Sequence, residues 1–404
     1  MKPKAPMLSV QEALDYLMQA VRPVAESETL PTEQCWNRVL ASDQLSQLDV
    51  PPADNTQMDG YAVRAADCTS GDALLPVSQR IPAGVVGAPL QAGTAARIFT
   101  GAMIPAGADA VVMQEQTEVQ GDSVRILHQP AAGEWVRRRG EDVQAGSVIL
   151  PAGTRLGAAH LGLAASVGLA TLPVLRRLRV AVFFTGDELT MPGQPLKPGA
   201  IYNSNRFMLR GLLEQHGCDI TDLGIVPDKL EATRAALREA AKGNDLIITS
   251  GGVSVGEEDH VRPAVQAEGH LHLWQIAMKP GKPLAFGQVG QSFFVGLPGN
   301  PVSSFVTFLL FVRPFLLALQ GMPQQAPRSI TMRADFDWPK ADRRHEFIRV
   351  RCNASGGLER FVNQGSGVLT SAVWGDGLVS IPPGQTIQKG EMVNYLPFEF
   401  LGAV

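Results

Sequence analysis

Asn244 to Glu258 reads NDLIITSGGVSVGEE. A short apolar run, Leu246-Ile247-Ile248, passes through Thr249-Ser250 into Gly251-Gly252-Val253-Ser254-Val255-Gly256. The run has the composition of a buried parallel strand, and the glycine-rich stretch after it suits a loop whose backbone approaches a ligand. Glycines leave main-chain amides uncovered, and successive amides leading into a helix N-terminus bind anions. One such loop is a weak signal. Four more segments of the same design give it weight.

Val180–Phe184 leads into Thr185-Gly186-Asp187-Glu188, and Leu223–Val226 into Pro227-Asp228. Trp274–Met278 leads into Lys279-Pro280-Gly281-Lys282-Pro283, and Phe293–Gly296 into Leu297-Pro298-Gly299-Asn300-Pro301. Helical patterns at 206–216 and 230–242 lie between them. Strands alternating with helices predict a mainly parallel sheet, with ligands outside the carboxyl ends of its strands. Five loops would then deliver carboxylates, lysines and free amides to one crevice. Such a crevice suits an anionic ligand together with a metal.

At 404 residues the chain exceeds one hydrophobic core, so two to four domains of about 100–150 residues are expected. Its 45% hydrophobic and 18% charged content fit a soluble globular protein, and the net charge of −4 argues against nucleic-acid binding. Cysteines 35, 68, 218 and 352 form no CxxC pair, which predicts neither disulfides nor zinc and suits a cytoplasmic protein. The first 21 residues lack the apolar core of a signal peptide. Ser9 and Glu12 instead predict a capping box ahead of a helix with Leu14, Leu17, Met18 and Val21 on one stripe. The greasiest stretch, 305–319, is interrupted by Arg313 and Pro314 and reads as a core helix, so no membrane span is expected.

Short strand-like pieces at 61–64, 96–99 and 110–113, separated by Pro and Gly turns, predict a small β domain over 46–146. A strand at 147–150 and an Ala/Leu-rich helix near 157–167 come next. The α/β unit occupies 177–326. Beyond Gly321 the pattern returns to strands at 329–336, 345–352, 358–362, 378–381 and 392–396, which predicts a small barrel or sandwich.

Several candidate residues have plain structural readings. Asp228 with Glu231 also spells a capping box, and Asn300-Pro301 is an expected helix start. Glu188 and Asp259 have no such role evident. Lys279 and Lys282 share a tight Pro-Gly turn, a rigidity suited to holding an oxyanion. Asp54–Ala62 reads equally as an Asx-type turn feeding a strand, and Arg137–Asp142 as a charged hairpin. His270 and His272 lack a third ligand for a metal.

Taken together, DNTQMDGYAVR (54–64), TGA (100–102), RRRGED (137–142), TGDEL (185–189), IYNSN (201–205), TSGGVSVGEED (249–259), KPGKP (279–283) and LPGNPVS (297–303) resemble the molybdopterin molybdenumtransferase family, which includes the C-terminal domain of gephyrin. EFIRVR (346–351) and GSGVLTS (365–371) match more loosely. The motifs run in order along nearly the whole chain.

The resemblance implies a multi-domain α/β plus β protein. The α/β molybdopterin- and nucleotide-binding domain would be 1–26 and 177–326, with a mainly parallel sheet, and a linker domain 27–45 and 147–176. The small β domain would be 46–146 and a C-terminal β-barrel-like domain 327–404. It implies insertion of molybdenum from molybdate into adenylylated molybdopterin with release of AMP, in a magnesium-dependent step. Asp228 and Asp259 would address magnesium; Gly251, Gly252 and Ser254 would hold the nucleotide phosphate. Lys279, Lys282, Ser303, Arg349 and Ser366 would form the molybdate side, and Pro298 and Pro301 would also bind substrate. Glu188, Asp59, Thr100 and Asp142 would be the catalytic group.

A cytoplasmic homodimer with a composite site is implied. Molybdopterin adenylyltransferase, and molybdoenzyme apoproteins or their chaperones, would be its partners. Asn203 stands where many members have an aspartate, and Gln275 where some carry a lysine. The rival readings are a molybdopterin adenylyltransferase, whose loop is typically shorter and which lacks the β domains, and a non-catalytic scaffold of the same fold.

Overall fold

A computed structural model describes residues 7–252, 260–324 and 327–403. The chain divides into two compact units: Met1–Glu28, Asn37–Ala41 and Val174–Val404 in one, Thr29–Trp36 and Ser42–Pro173 in the other.

At the centre of the first unit is a six-stranded sheet. Its order is Asp219–Val226, Arg179–Thr185, Leu246–Ser250, Ser292–Leu297, Pro283–Val289, Gly269–Gln275. The first four strands are mutually parallel. Pro283–Val289 runs antiparallel to Ser292–Leu297, and Gly269–Gln275 antiparallel to Pro283–Val289, so five of six strands point one way. Their carboxyl ends share one edge, as the five-loop pattern predicts.

The inner strands Arg179–Thr185, Leu246–Ser250 and Ser292–Leu297 are mostly apolar because both of their faces are covered. Val180, Val182, Phe184, Leu246, Ile248 and Val295 pack with helix Ser204–Gln215 and the helical run from Pro301 to Leu319. The alternate residues Ala181, Phe183, Ile247 and Phe294 pack with Leu237, Ala240, Val261, Ala264 and Val265 of helices Leu230–Ala240 and Val261–Glu268. A period of two along each strand thus feeds two separate cores.

Three local expectations are corrected. The strand read at 274–278 ends at Gln275, because the Ile276 amide turns to the Lys282 carbonyl at 2.8 Å. Met278–Lys279 instead pairs in parallel with His345–Glu346 of the C-terminal sheet. Asp228 does not cap its helix: Leu230–Ala240 begins after Lys229, and no side chain caps it. The stretch 305–319 is not broken at Arg313 and Pro314. A π-turn at Phe308–Val312, in which the Arg313 amide reaches back to the Phe308 carbonyl, joins Pro301–Thr307 to Arg313–Leu319. The run is long and apolar enough to cross a membrane, yet it is 83% buried and packs as core.

In the C-terminal sheet, Met278–Lys279, His345–Cys352, Gly377–Ile381, Met392–Pro397 and Ile330–Arg333 are neighbours in that order, and Leu358–Arg360 pairs with His345–Cys352. A bridge from Ala334 to Leu358 brings the two ends together, giving a small barrel-like closure around Phe336, Ile348, Val350, Val379 and Tyr395.

The second unit contains another six-stranded sheet, ordered Ala110–Met113, Gly60–Val63, Ala95–Ile98, Ala73–Ile81, Ser123–Ile126, Thr117–Gln120. Pairings are antiparallel except between Ala73–Ile81 and Ala95–Ile98. The small Ala62 and Ala96 lie in one core, Tyr61, Val63 and Ala95 in the other.

Candidate functional site: the carboxyl edge of the central sheet

Arg179–Thr185 ends in Gly186, whose φ of +142° suits glycine. The Glu188 carboxylate folds back over it, so a methyl at Gly186 would lie 2.6 Å from Glu188 Oε2. Glu188 is exposed and makes no side-chain hydrogen bond or ion pair among the described residues. On the neighbouring strand end, the Asp228 amide donates to Asp187 Oδ1 at 3.3 Å. Asp187, Glu188 and Asp228 thus sit at two adjacent strand ends.

After Leu246–Ser250 the loop is built by close packing. Gly251 and Gly252 have φ of +94° and +63°. A methyl at Gly251 would lie 2.9 Å from the Thr185 carbonyl oxygen, and one at Gly252 2.6 Å from Val261 Cγ2 and 2.8 Å from Thr185 Oγ1. Ser250, 3% exposed, stitches this loop to the Pro298–Pro301 loop. Its hydroxyl donates to the Pro298 carbonyl at 2.9 Å and accepts from Asn205 Nδ2 at 2.8 Å, which also donates to the Gly299 carbonyl at 2.8 Å. Among the described residues, the buried hydroxyls of Thr185 and Thr249 have no hydrogen-bond partner, nor does Asn205 Oδ1. Buried polar atoms are ordinarily satisfied, so orphans collected beneath a glycine loop mark a place for a polar ligand or its water. Ser254 and Asp259 lie outside the described residues.

The turn carrying Lys279 and Lys282 is pinned on both sides. Gly281, at φ +105°, leaves room for only a hydrogen against Thr307 Oγ1, which a methyl would approach to 2.5 Å. The two lysines are nevertheless in different states. Lys279 Nζ donates to Glu346 Oε1 at 2.8 Å and lies 3.9 Å from Asp342. Lys282, half-buried, makes no side-chain bond among the described residues and lines a cleft with Arg343 and Arg344.

Arg349 is 1% exposed. Its guanidinium donates to Ser371 Oγ at 2.9 Å, the Gly365 carbonyl at 3.1 Å and the Phe347 carbonyl at 3.4 Å, with no carboxylate partner among the described residues. Burial alone pulls its pKa down to about 10. Gln364 clasps the same backbone, donating to the Arg349 carbonyl at 2.8 Å and accepting from its amide at 2.9 Å. The ordered loop then delivers the Ser366 carbonyl to the Val302 amide at 3.0 Å, using an amide in the first turn of Pro301–Thr307. Ser303 is buried in the same turn at 4% exposure.

In the second unit, Asp59 and Thr100 come together across 41 residues. Asp59 Oδ1 accepts the Thr100 amide and hydroxyl, both at 2.7 Å, and these bonds hold the carboxyl below its usual range. Asp59 therefore has a structural partner that its motif did not reveal. Arg138 Nη1 and the Arg139 amide donate to Asp54 at 2.6 and 2.8 Å, joining the 54–64 and 137–142 motifs. Asp142 is exposed beside Val50, Pro51, Arg137 and Glu141 in an open cleft of about 460 Å³, and no hydrogen bond joins it to Asp59 or Thr100.

Among the described residues, no three His, Cys, Asp or Glu side chains are arranged to hold a metal. The oxygen donors of Asp187, Glu188 and Asp228 are nonetheless the type that a hard divalent cation takes. Sequence reasoning passed over Thr185, Asn205 and Glu346. Asn205 closes the IYNSN motif and Glu346 opens EFIRVR, so both lay inside quoted motifs without an assigned role.

Three family models match: the MoeA N-terminal region (domain I and II) at residues 8–168, the "Probable molybdopterin binding domain" at 181–318, and the MoeA C-terminal region (domain IV) at 331–398. The chain is 38% identical over 402 residues to the molybdopterin molybdenumtransferase of Haemophilus influenzae, covering 98% of this chain and 100% of that one. It is 37% identical over 412 residues to the enzyme of that name from a Nostoc species, covering 98% and 94%. A crystal structure of the molybdopterin biosynthesis moeA protein from Pyrococcus horikoshii OT3 superposes with a TM-score of 0.85 at 30% identity, over 97% of this chain and 100% of that one. Likeness that runs through all three regions, rather than through the central domain alone, makes this chain a member of the molybdopterin molybdenumtransferase family.

Proposed function

We propose that this transferase moves molybdenum from molybdate into adenylylated molybdopterin, releasing AMP and yielding molybdenum cofactor. The observation that carries this reading is the pair of buried hydroxyls, Thr185 and Thr249, without a partner among the described residues, beside the Gly251-Gly252 loop at the shared carboxyl edge. In this reading the loop receives the nucleotide phosphate, with Ser254 contributing. Pro298, Pro301 and Ser303 form the adjoining wall, and Lys282 meets the oxyanion. Lys279 and Arg349 serve the same subsite by holding Glu346 and the 364–371 loop in place. Ser366 acts there through its carbonyl on Val302.

Magnesium, held by Asp228 and Asp259, would neutralise charge on the phosphoanhydride. Glu188 supplies an uncommitted carboxylate at the crevice. Asp59, Thr100 and Asp142 complete the catalytic group, in a composite site of a cytoplasmic homodimer. The four-domain division drawn from sequence belongs to the same proposal, as do an upstream adenylyltransferase and downstream molybdoenzymes or chaperones as partners.

The test is reconstitution with purified protein, adenylylated molybdopterin, molybdate and magnesium, with light scattering for the dimer. AMP release coupled to cofactor that activates a molybdenum-free apoenzyme is expected. In a parallel assay with molybdopterin and ATP, formation of adenylylated molybdopterin with release of pyrophosphate would identify an adenylyltransferase instead.

A further inference from the structure

Resting on the insertase reading, which places Asp59 and Thr100 in the catalytic group, the way that pair is held leads further. Strands Gly60–Val63 and Ala95–Ile98 run antiparallel, and their ladder ends at the pair Gly60–Ile98. Asp59 and Thr100 lie just past that end. The bonds joining them are the two that Asp59 Oδ1 accepts from the Thr100 amide and hydroxyl. A carboxylate placed there keeps its direction only if the strand ends beneath it are fixed.

Arg97 fixes them. It lies opposite Tyr61, one pair inside the ladder. Residues two apart on a strand share a face, so its side chain extends along the strand over Phe99. The guanidinium is 4.7 Å from the centre of the Phe99 ring and 5.2 Å from that of Tyr61. Its Nη1 donates to the Gly60 carbonyl at 3.0 Å and its Nη2 to Gln114 Oε1 at 2.7 Å. The Gln114 amide donates in turn to the Asp59 carbonyl at 3.0 Å. Arg80, beside Arg97 on Ala73–Ile81, covers the same Phe99 ring at 4.5 Å.

One guanidinium therefore grips both sides of the pair. Gly60 and Gln114 tie it to the main chain at Asp59, and Phe99 ties it to the residue before Thr100. The Ala102 amide closes that turn on the Phe99 carbonyl at 2.9 Å, so a fixed Phe99 fixes Thr100. Only a planar fork can stack on rings and donate in two directions at once, which an ammonium cannot do. We propose that Arg97 is a positioning residue of the insertion reaction, setting the geometry of the Asp59–Thr100 pair.

The test uses the full-length protein with two measurements: deuterium exchange at the Thr100 amide, and AMP release from adenylylated molybdopterin with molybdate and magnesium. In Arg97→Gln the amide is expected to exchange faster and kcat to fall about tenfold at unchanged KM. Arg97→Lys keeps the charge without the fork and should stay within about threefold of Arg97→Gln. Thr100→Val should also lose about tenfold, and the double variant no more than about twofold beyond the worse single one, because both changes act through one pair. Gln114→Ala, at an exposed position, removes one arm of the grip if Arg97→Gln does not fold; faster Thr100 exchange is expected there too. Losses that multiply in the double variant, parental turnover in Arg97→Lys, or unchanged Thr100 exchange in Arg97→Gln and Gln114→Ala would each overturn the proposal. A parent that releases no AMP would refute the insertase reading, and the exchange rates would then decide by themselves whether Arg97 holds the pair.

Discussion

Lys279 donates to Glu346 at 2.8 Å, and Glu346, 2% exposed, gives its other oxygen to the indole N–H of Trp338 at 2.8 Å. One lysine of a two-lysine motif is thus part of the scaffold, while Lys282, three residues on, makes no side-chain bond among the described residues.

The two lysines should therefore separate on substitution. Lys279→Gln leaves a buried carboxylate short of its cation and is expected to lower stability by about 2 kcal/mol, moderated by the half-exposed ammonium. Lys282→Gln should leave the denaturant midpoint unchanged and weaken molybdate binding. Equal midpoints for the two variants would show that the Glu346 pair contributes nothing.

Glu188→Gln isolates catalysis from folding, because no described protein group depends on that carboxylate. The expected outcome is loss of AMP release at an unchanged melting temperature. Retention of parental turnover removes Glu188 from the catalytic group.

Gly252→Ala should destabilise the protein whether or not a phosphate binds there. A φ of +63° disfavours an L side chain, and the new methyl would lie 2.6 Å from Val261 Cγ2. Together these cost about 2–3 kcal/mol. Urea unfolding checks this; a midpoint equal to the parent's would mean that the loop has room to shift.

Acid should weaken the first unit partly through Asp245. Burial alone would raise this carboxyl, but the two bonds from Arg176 at 2.8 Å and the Arg179 amide at 2.8 Å outweigh it and hold the group below its ordinary range. A depressed carboxyl contributes stability above its unfolded value, about 3.9, and loses it as pH falls through the lower folded value. Asp245→Asn should thus be about 2 kcal/mol less stable than the parent at pH 7, with the gap closing below about pH 4. A gap that stays constant with pH would mean that the Arg176 pair carries no pH-dependent stability.

Sequence alone indicated the inner parallel strands of the central sheet, because strands buried on both faces are largely apolar and the polar and Gly/Pro residues that end them read as loops. It determined the carboxyl-edge crevice for the same reason, and the motif order was enough to indicate the family. It did not reveal Pro283–Val289, which runs against its neighbours, nor that Met278–Lys279 joins the barrel-like sheet. Strand direction and partner are long-range properties that local composition does not encode.

Nor could spacing tell Lys279 from Lys282, or show that Asp59 holds Thr100 and that Arg349 is walled in by its own loop. The sequence supplies the charges; which of them are already matched depends on what tertiary packing places within hydrogen-bond reach. Only the tertiary structure decided that Glu346 neutralises Lys279 and that Lys282 has no partner among the described residues, since the desolvation of a buried carboxylate favours pairing with a nearby cation.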